Sequence, residues 1–146
     1  MKISDLTYKT NATLLFGEDS GEVLSLCCDS RKVREGDVFI ALKGTAVDGK
    51  QFVEDARAKG AAAAIYTDRA GLAIMADRFY DHPSGKLRLV GITGTNGKTT
   101  TVTLLYHLFR RLGYECGLLS TIANYVGTTR LETTNTTADP LTINQL

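Results

Sequence analysis

Through the first half of the chain, short apolar runs alternate with polar turns. EVLSLCC reads as a strand ending in a polar turn at residues 29–31, and GDVFIALKG as a second strand with Gly44 after it. The segment QFVEDARAK reads as a helix over residues 51–59, stopped by Gly60, and a small-residue strand then ends near Tyr66. A further helix over residues 69–80 leads into DHPSGK, where Pro83, Ser84 and Gly85 break the pattern. The expected order is strand, strand, helix, strand, helix, with a domain boundary at that break.

The second half begins with Leu87, Leu89, Val90 and Ile92, which read as a short buried strand. Val102, Leu105, Leu108, Phe109 and Leu112 then recur at helical spacing, with Gly113 placed to end the helix. GLLSTIANYVG supplies a second strand candidate. Strands alternating with helices predict an α/β fold with a parallel sheet, whose ligands sit at the carboxyl ends of the strands. The pattern divides the chain into residues 1–82 and residues 87–146. The second stretch holds too few elements to cover both faces of a doubly wound sheet, so a domain cut off partway is expected.

Between the expected strand and helix lies GTNGKTT. A helix N-terminus carries unsatisfied N–H groups and partial positive charge, and Gly94 and Gly97 let an anion approach those amides. Lys98 adds a point charge, and Thr99 a hydroxyl suited to a phosphate-bound Mg²⁺. The spelling is a shortened phosphate loop, because Ile92 stands where the general G-x-x-x-x-G-K-[ST] pattern has its first glycine. An ordinary glycine-rich turn is the plain alternative.

The remaining composition narrows the partners. A net charge of +1 over 146 residues gives no argument for nucleic acid or an anionic membrane. No apolar run has the length of a membrane span, and the N-terminus lacks the apolar core of a signal peptide, so a cytoplasmic protein is expected. Cys27, Cys28 and Cys116 lack metal-ligand spacing and read as reduced, largely buried thiols. His82 and His107 read as a loop residue and a helix-face residue.

GITGTNGKTTT resembles the ATP loop of the Mur ligase family, which joins amino acids to a UDP-linked sugar peptide during peptidoglycan synthesis. CCDSRKVREGDVFIALKGTAVDGKQFVEDARAKGAAAAI resembles the UDP-binding N-terminal domain of that family, and NTTADPLTINQL the segment after the second strand of its ATPase domain. The three blocks occur in the family's order and are most like the branch that adds the third residue. Two features depart from the pattern. Residues 66–72 are shorter than usual, which leaves the first sheet expected to be incomplete, and Ala138 and Asp139 stand where many members have proline and glutamate.

The resemblance implies a small N-terminal UDP-binding α/β domain followed by the start of a P-loop parallel-sheet ATPase domain. It makes Gly94, Thr95, Asn96, Gly97, Lys98, Thr99 and Thr100 the ATP-binding residues, Lys98 catalytic and Thr99 the Mg²⁺ ligand. Cys28, Ser30, Thr45, Ala46 and Val47 match positions that hold the uridine diphosphate. Asn135, Thr136 and Thr137 match positions that hold the muramoyl-peptide end. The implied partners are ATP, Mg²⁺, UDP-N-acetylmuramoyl-dipeptide and an amino acid. The whole protein is expected to be a monomer, and this stretch alone inactive. Read without the resemblance, Asp29, Ser30, Asp48 and Gly49 are also ordinary turn residues, and TTNTT an ordinary polar loop. The dipeptide-adding branch, another P-loop kinase or NTPase, and a UDP-sugar-binding module remain open alternatives.

Overall fold

A computed structural model describes residues 1–44, 47–131 and 139–146. The chain forms two compact units, Met1–Pro83 and Ser84–Leu146.

The first unit contains α1 (Ile3–Thr7), β1 (Thr13–Phe16), β2 (Leu26–Cys27), β3 (Val38–Leu42), α2 (Val53–Ala58), β4 (Ala63–Thr67) and α3 (Arg69–Phe79). Its sheet has the order β1-β4-β3-β2. β2, β3 and β4 run parallel, with Leu26 opposite Val38 and Ile40 opposite Ile65, while β1 runs antiparallel to β4.

β3 and β4 are central strands, and their side chains are buried on both faces, which is why each reads as a continuous apolar run. Phe39, Ala41 and Ala64 pack with Val53 and Ala56 of α2. By the alternation of a strand, Val38 and Ile40 point to the opposite face. Leu6, Leu72 and Met75, from α1 and α3, are also fully buried. The ends are held by local polar groups. Asp68 caps α3 by accepting from the Gly71 N–H at 2.8 Å, and its other oxygen takes the amide N–H of Asn11. The Thr67 hydroxyl donates to Asn11 Oδ1 at 2.9 Å, tying the end of β4 to the segment before β1.

α1 and β1 are elements that the sequence reading left unassigned. With β1 the first sheet has four strands. The small-residue strand and both helices of this unit form within a residue or two of their expected limits.

The second unit departs further from expectation. α4 (Lys98–Arg111) forms as expected and ends before Gly113. The expected strand over residues 87–93 does not form, and Leu87, Leu89 and Val90 are exposed. A strand exists only when its N–H and C=O groups meet a neighbour, and no described residue pairs with this stretch. The single strand expected in GLLSTIANYVG is instead two, β5 (Gly117–Leu119) and β6 (Asn124–Val126), followed by β7 (Thr129–Leu131) in an antiparallel meander. Ser120 makes the turn between β5 and β6: its Oγ donates to the Ala123 carbonyl at 2.8 Å and lies within 3.4 Å of the Ile122 and Ala123 N–H donors. The sheet of this unit is therefore antiparallel among the described residues. A last helix, α5 (Pro140–Gln145), is capped by Asp139, which accepts from the N–H groups of Leu141 and Thr142.

Candidate functional site

Two sites, one in each unit, gather the residues singled out from the sequence. The first is the turn after β2. Asp29 Oδ1 accepts from the Arg31 backbone N–H at 3.0 Å and from Nε at 2.9 Å, while Oδ2 accepts from Nη2 at 2.8 Å. This forked pairing holds the Asp29 carboxyl down at about 2, and raises the guanidinium in turn. The ammonium of Lys59, just beyond α2, donates to the Ser30 carbonyl at 2.7 Å and anchors the turn from below. Ser30 is buried, and Cys28, Asp29, Ser30 and Arg31 line a cavity of about 510 Å³ whose fifth wall is Phe52. Cys27 stands behind the turn with its thiol on the Asp29 carbonyl, and burial pushes that thiol up.

Val47 is exposed, and Thr45 and Ala46 lie outside the described residues. Asp48 and Gly49 do what turn residues do before a helix. Asp48 accepts from the Lys50 N–H at 2.9 Å and from the Tyr66 hydroxyl at 2.8 Å. Those two bonds lower the Asp48 carboxyl, and the same contact raises the Tyr66 phenol. The Lys50 ammonium lies 4.2 Å from the Tyr66 ring centre. This cluster fixes the start of the helical segment and leaves little charge unspent.

The second site is the loop before α4. Gly94 has φ +142° and Gly97, at the N-cap position, φ +76°, both in the region that favours glycine. A Cβ at Gly97 would meet nothing within 4 Å, so backbone conformation selects glycine there, and the space in front of the loop is open. α4 begins without any side-chain cap, which leaves its first N–H groups available to an anion. The Lys98 ammonium donates to the carbonyls of Gly94 and Thr95, folding back across the loop. Thr99 lies on the first turn, 3.4 Å from the Thr121 hydroxyl, between oxygens. Lys98 and Thr99 line a cavity of about 300 Å³ together with Ser120, Thr121 and Asn124. Thr95, Asn96 and Thr100 are exposed and do not line that cavity.

These observations fit a nucleotide with Mg²⁺: an uncapped helix start for phosphate oxygens, a lysine at the mouth and one hydroxyl for the metal. Mg²⁺ needs few protein ligands, since phosphates and water complete its shell. Among the described residues no group of three His, Cys, Asp or Glu side chains offers a further metal site. Asn135, Thr136 and Thr137 lie outside the described residues.

Sequence reading missed Phe52, Ser120, Thr121 and Asn124. Phe52 looked like one more apolar residue of a helix, but it ends a 3-10 turn instead. Ser120 and Thr121 lay inside what read as one strand. The ST pair in the middle of that apolar run was the available signal of a turn. His82 Nδ1 lies 2.5 Å from Asp77 Oδ2, and the three cysteines are half-buried and outside any disulfide.

Known proteins resemble the chain throughout. Residues 22–94 match the profile of the Mur ligase family, catalytic domain, and residues 92–146 that of the Mur ligase middle domain. A UDP-N-acetylmuramoyl-L-alanyl-D-glutamate–2,6-diaminopimelate ligase of Cytophaga hutchinsonii is 43% identical over 164 aligned positions, covering all of this chain and 34% of the relative. The enzyme of the same name from Parabacteroides distasonis is 40% identical with the same coverage. The chain thus spans about a third of the length of these relatives. A solved structure of a ligase of that name superimposes with a TM-score of 0.74 over 99% of this chain and 32% of its own, at 23% identity, which shows the shared fold. A MurF ligase from Thermotoga maritima, solved in complex with ADP, gives a TM-score of 0.52 at 28% identity, over 82% of this chain and 28% of its own. The two profiles meet at the loop that precedes α4 and together account for the chain from residue 22 onward: it belongs to the Mur ligase family.

Proposed function

We propose that this chain is the UDP-binding and ATP-binding part of an ATP-dependent ligase that adds the third amino acid to UDP-N-acetylmuramoyl-L-alanyl-D-glutamate. The uncapped N-terminus of α4, behind two positive-φ glycines and beside Lys98, is the observation that carries the reading. The relatives' names supply the substrate, and 2,6-diaminopimelate as the amino acid.

In this reading the substrate carboxylate attacks the γ-phosphorus of ATP, giving an acyl phosphate and ADP. The incoming amine then displaces phosphate and forms the amide. The obstacle is charge, because a carboxylate and a triphosphate repel one another. Thr99 would hold Mg²⁺, which would supply charge neutralisation there. The amides at the start of α4 receive phosphate oxygens. Lys98 leaves the Gly94 and Thr95 carbonyls for the bridging and terminal phosphate oxygens, where charge builds up as the γ-phosphoryl group moves. Gly94, Thr95, Asn96, Gly97 and Thr100 shape the loop around the same phosphates.

The turn from Cys28 to Arg31 binds the uridine diphosphate, and Thr45, Ala46 and Val47 are assigned to the same ligand. Asn135, Thr136 and Thr137 hold the muramoyl-peptide end. Residues 1–82 act as the UDP-sugar-binding domain and residues 87–146 as the beginning of the ATP-binding domain. The whole protein works as a cytoplasmic monomer, and this chain by itself binds nucleotides without forming the amide.

The test is steady-state amide formation by the whole enzyme with saturating ATP and UDP-linked dipeptide. Lys98→Ala lowers kcat by about 10²-fold, a cost of about 2.7 kcal/mol, comparable to losing one preorganised donor. Lys98→Arg recovers little, because its planar fork does not replace a point charge in a tight loop. A normal kcat with only a raised KM for ATP makes Lys98 a uniform binding residue and ends its transition-state role.

A further inference from the structure

Phe52 is 37% exposed and stands outside the core cluster that includes its neighbours Val53 and Ala56. It forms one wall of the 510 Å³ cavity, facing the turn that contributes Cys28, Asp29, Ser30 and Arg31. That volume is in the range of small-ligand sites, about 300 to 1,000 Å³. The opposite wall is polar, and much of its chemistry is already engaged. Both Asp29 carboxylate oxygens hold Arg31, and the Ser30 carbonyl holds Lys59. Arg31 retains guanidinium donors beyond the two used in the pair. A partly exposed aromatic side chain lining a cavity with a polar turn that has spare cationic donors is a layout for a flat heterocycle joined to phosphate: the ring stacks, and the donors take the anion.

We propose that Phe52 is the base-stacking platform of the first unit, and that the heterocycle it takes is the pyrimidine of a nucleoside diphosphate. This rests on the reading that the 28–31 turn binds a uridine diphosphate, and adds the residue on which the base rests. Phe52 suits that role mechanically. It ends the 3-10 turn Gly49–Phe52, whose start is fixed by Asp48 and Tyr66, and it immediately precedes α2. A ring carried on a fixed helical start loses little freedom when a base stacks on it.

The experiment titrates the 146-residue chain with UDP, and in parallel with inorganic pyrophosphate, which has the phosphates but no base. Uracil H5 and H6 are followed by proton NMR, because a stacked phenyl ring shifts them upfield. The wild-type chain gives that shift. Phe52→Leu keeps an apolar side chain without the ring; it abolishes the shift and weakens UDP about tenfold while pyrophosphate affinity stays as it was. Phe52→Tyr restores both the shift and the affinity. An amide spectrum confirms that each variant is folded.

The stacking role is overturned if Phe52→Leu binds UDP with wild-type affinity, or if it loses UDP and pyrophosphate equally, which marks a structural residue. A wild-type chain that binds no UDP removes the underlying reading of the turn and the stacking role with it. A wild-type chain that binds UDP without an upfield shift leaves the turn's reading standing and removes Phe52 alone.

Discussion

In Met1–Pro83 the central strands β3 and β4 are buried from both sides, and Ile40, Ile65 and Leu72 have 0 to 1% of their surface exposed. In Ser84–Leu146 the apolar residues that should do the same work remain open: Leu89 is 72% exposed, Leu104 64% and Ile122 68%. Tyr106, Leu118 and Ala123 are the apolar residues buried there among the described ones. Both units are rich in apolar residues, so hydrophobicity alone does not make a core. What differs is cover. β3 has β2 and β4 beside it and α2 and α3 packed against it, whereas residues 87–93 have no ladder partner among the described residues. The first unit is organised around a closed core; the second has α4 and a small meander joined by the Tyr106 hydroxyl.

The sharpest way to break that contrast is to shave equal side chains from each unit. Ile65→Ala removes fully buried atoms and should cost about 2 to 5 kcal/mol, read as a lowered urea midpoint of the first unit. Leu104→Ala should change stability by no more than about 0.5 kcal/mol, as an exposed substitution does. Comparable losses at the two positions would mean that Leu104 is covered in solution.

A smaller effect tests what does hold the second unit. The Tyr106 ring lies 5.3 Å from that of Tyr125, centre to centre, and its hydroxyl donates to the Gly127 carbonyl in the turn between β6 and β7. Tyr106→Phe keeps the ring contact and deletes the bond, so a loss of about 0.5 to 1.5 kcal/mol is expected. Hydrogen exchange should report it as faster exchange at the β6 and β7 amides with no change in β3 and β4. Uniform exchange changes would contradict a hydroxyl acting as a local clasp.

The smallest effect is electrostatic and belongs to the first unit. The Asp29 carboxyl is held at about 2 by Arg31, below the ordinary aspartate value. A depressed carboxyl contributes stability above its unfolded value, and loses it as pH falls from about 4 towards 2. The stability gap between wild type and Asp29→Asn should therefore be widest above pH 4 and close below it. Asp29 and Arg31 are both solvent-accessible, so the gap is small and shrinks in salt. A gap independent of pH over that range would show that the pair contributes geometry without charge.

The same contrast explains what could be read from sequence. Gly60 announced the end of α2 because a stop signal is local. β3 and β4 were legible because a strand buried on both faces writes itself as an apolar run. β1 escaped notice because TLLF is short and borders an edge, and α1 because five residues carry too little periodicity. The stretch over residues 87–93 looked like a buried strand because composition records what a segment can bury and says nothing of which neighbour arrives. At the sites, Lys98, Thr99 and the glycines were visible as one contiguous motif. Phe52 and Thr121 were invisible because tertiary folding brings them to their cavities, and neither belongs to a motif that names its chemistry.

In the proposed reading the Lys98 ammonium has to leave the Gly94 and Thr95 carbonyls before it meets a phosphate, which would divide the loop before α4 into clasped and open populations. While clasped, the ammonium satisfies the carbonyl acceptors of Gly94 and Thr95. A ligand that requires the ammonium elsewhere meets only the fraction of molecules in which the clasp is open, and its measured dissociation constant exceeds the intrinsic one by the reciprocal of that fraction. Ligands that contact the α4 amides without recruiting Lys98 escape this factor. On that reading the loop would rank anions by whether they recruit the lysine as well as by their charge, which would favour a long polyphosphate over a single phosphate of equal charge density.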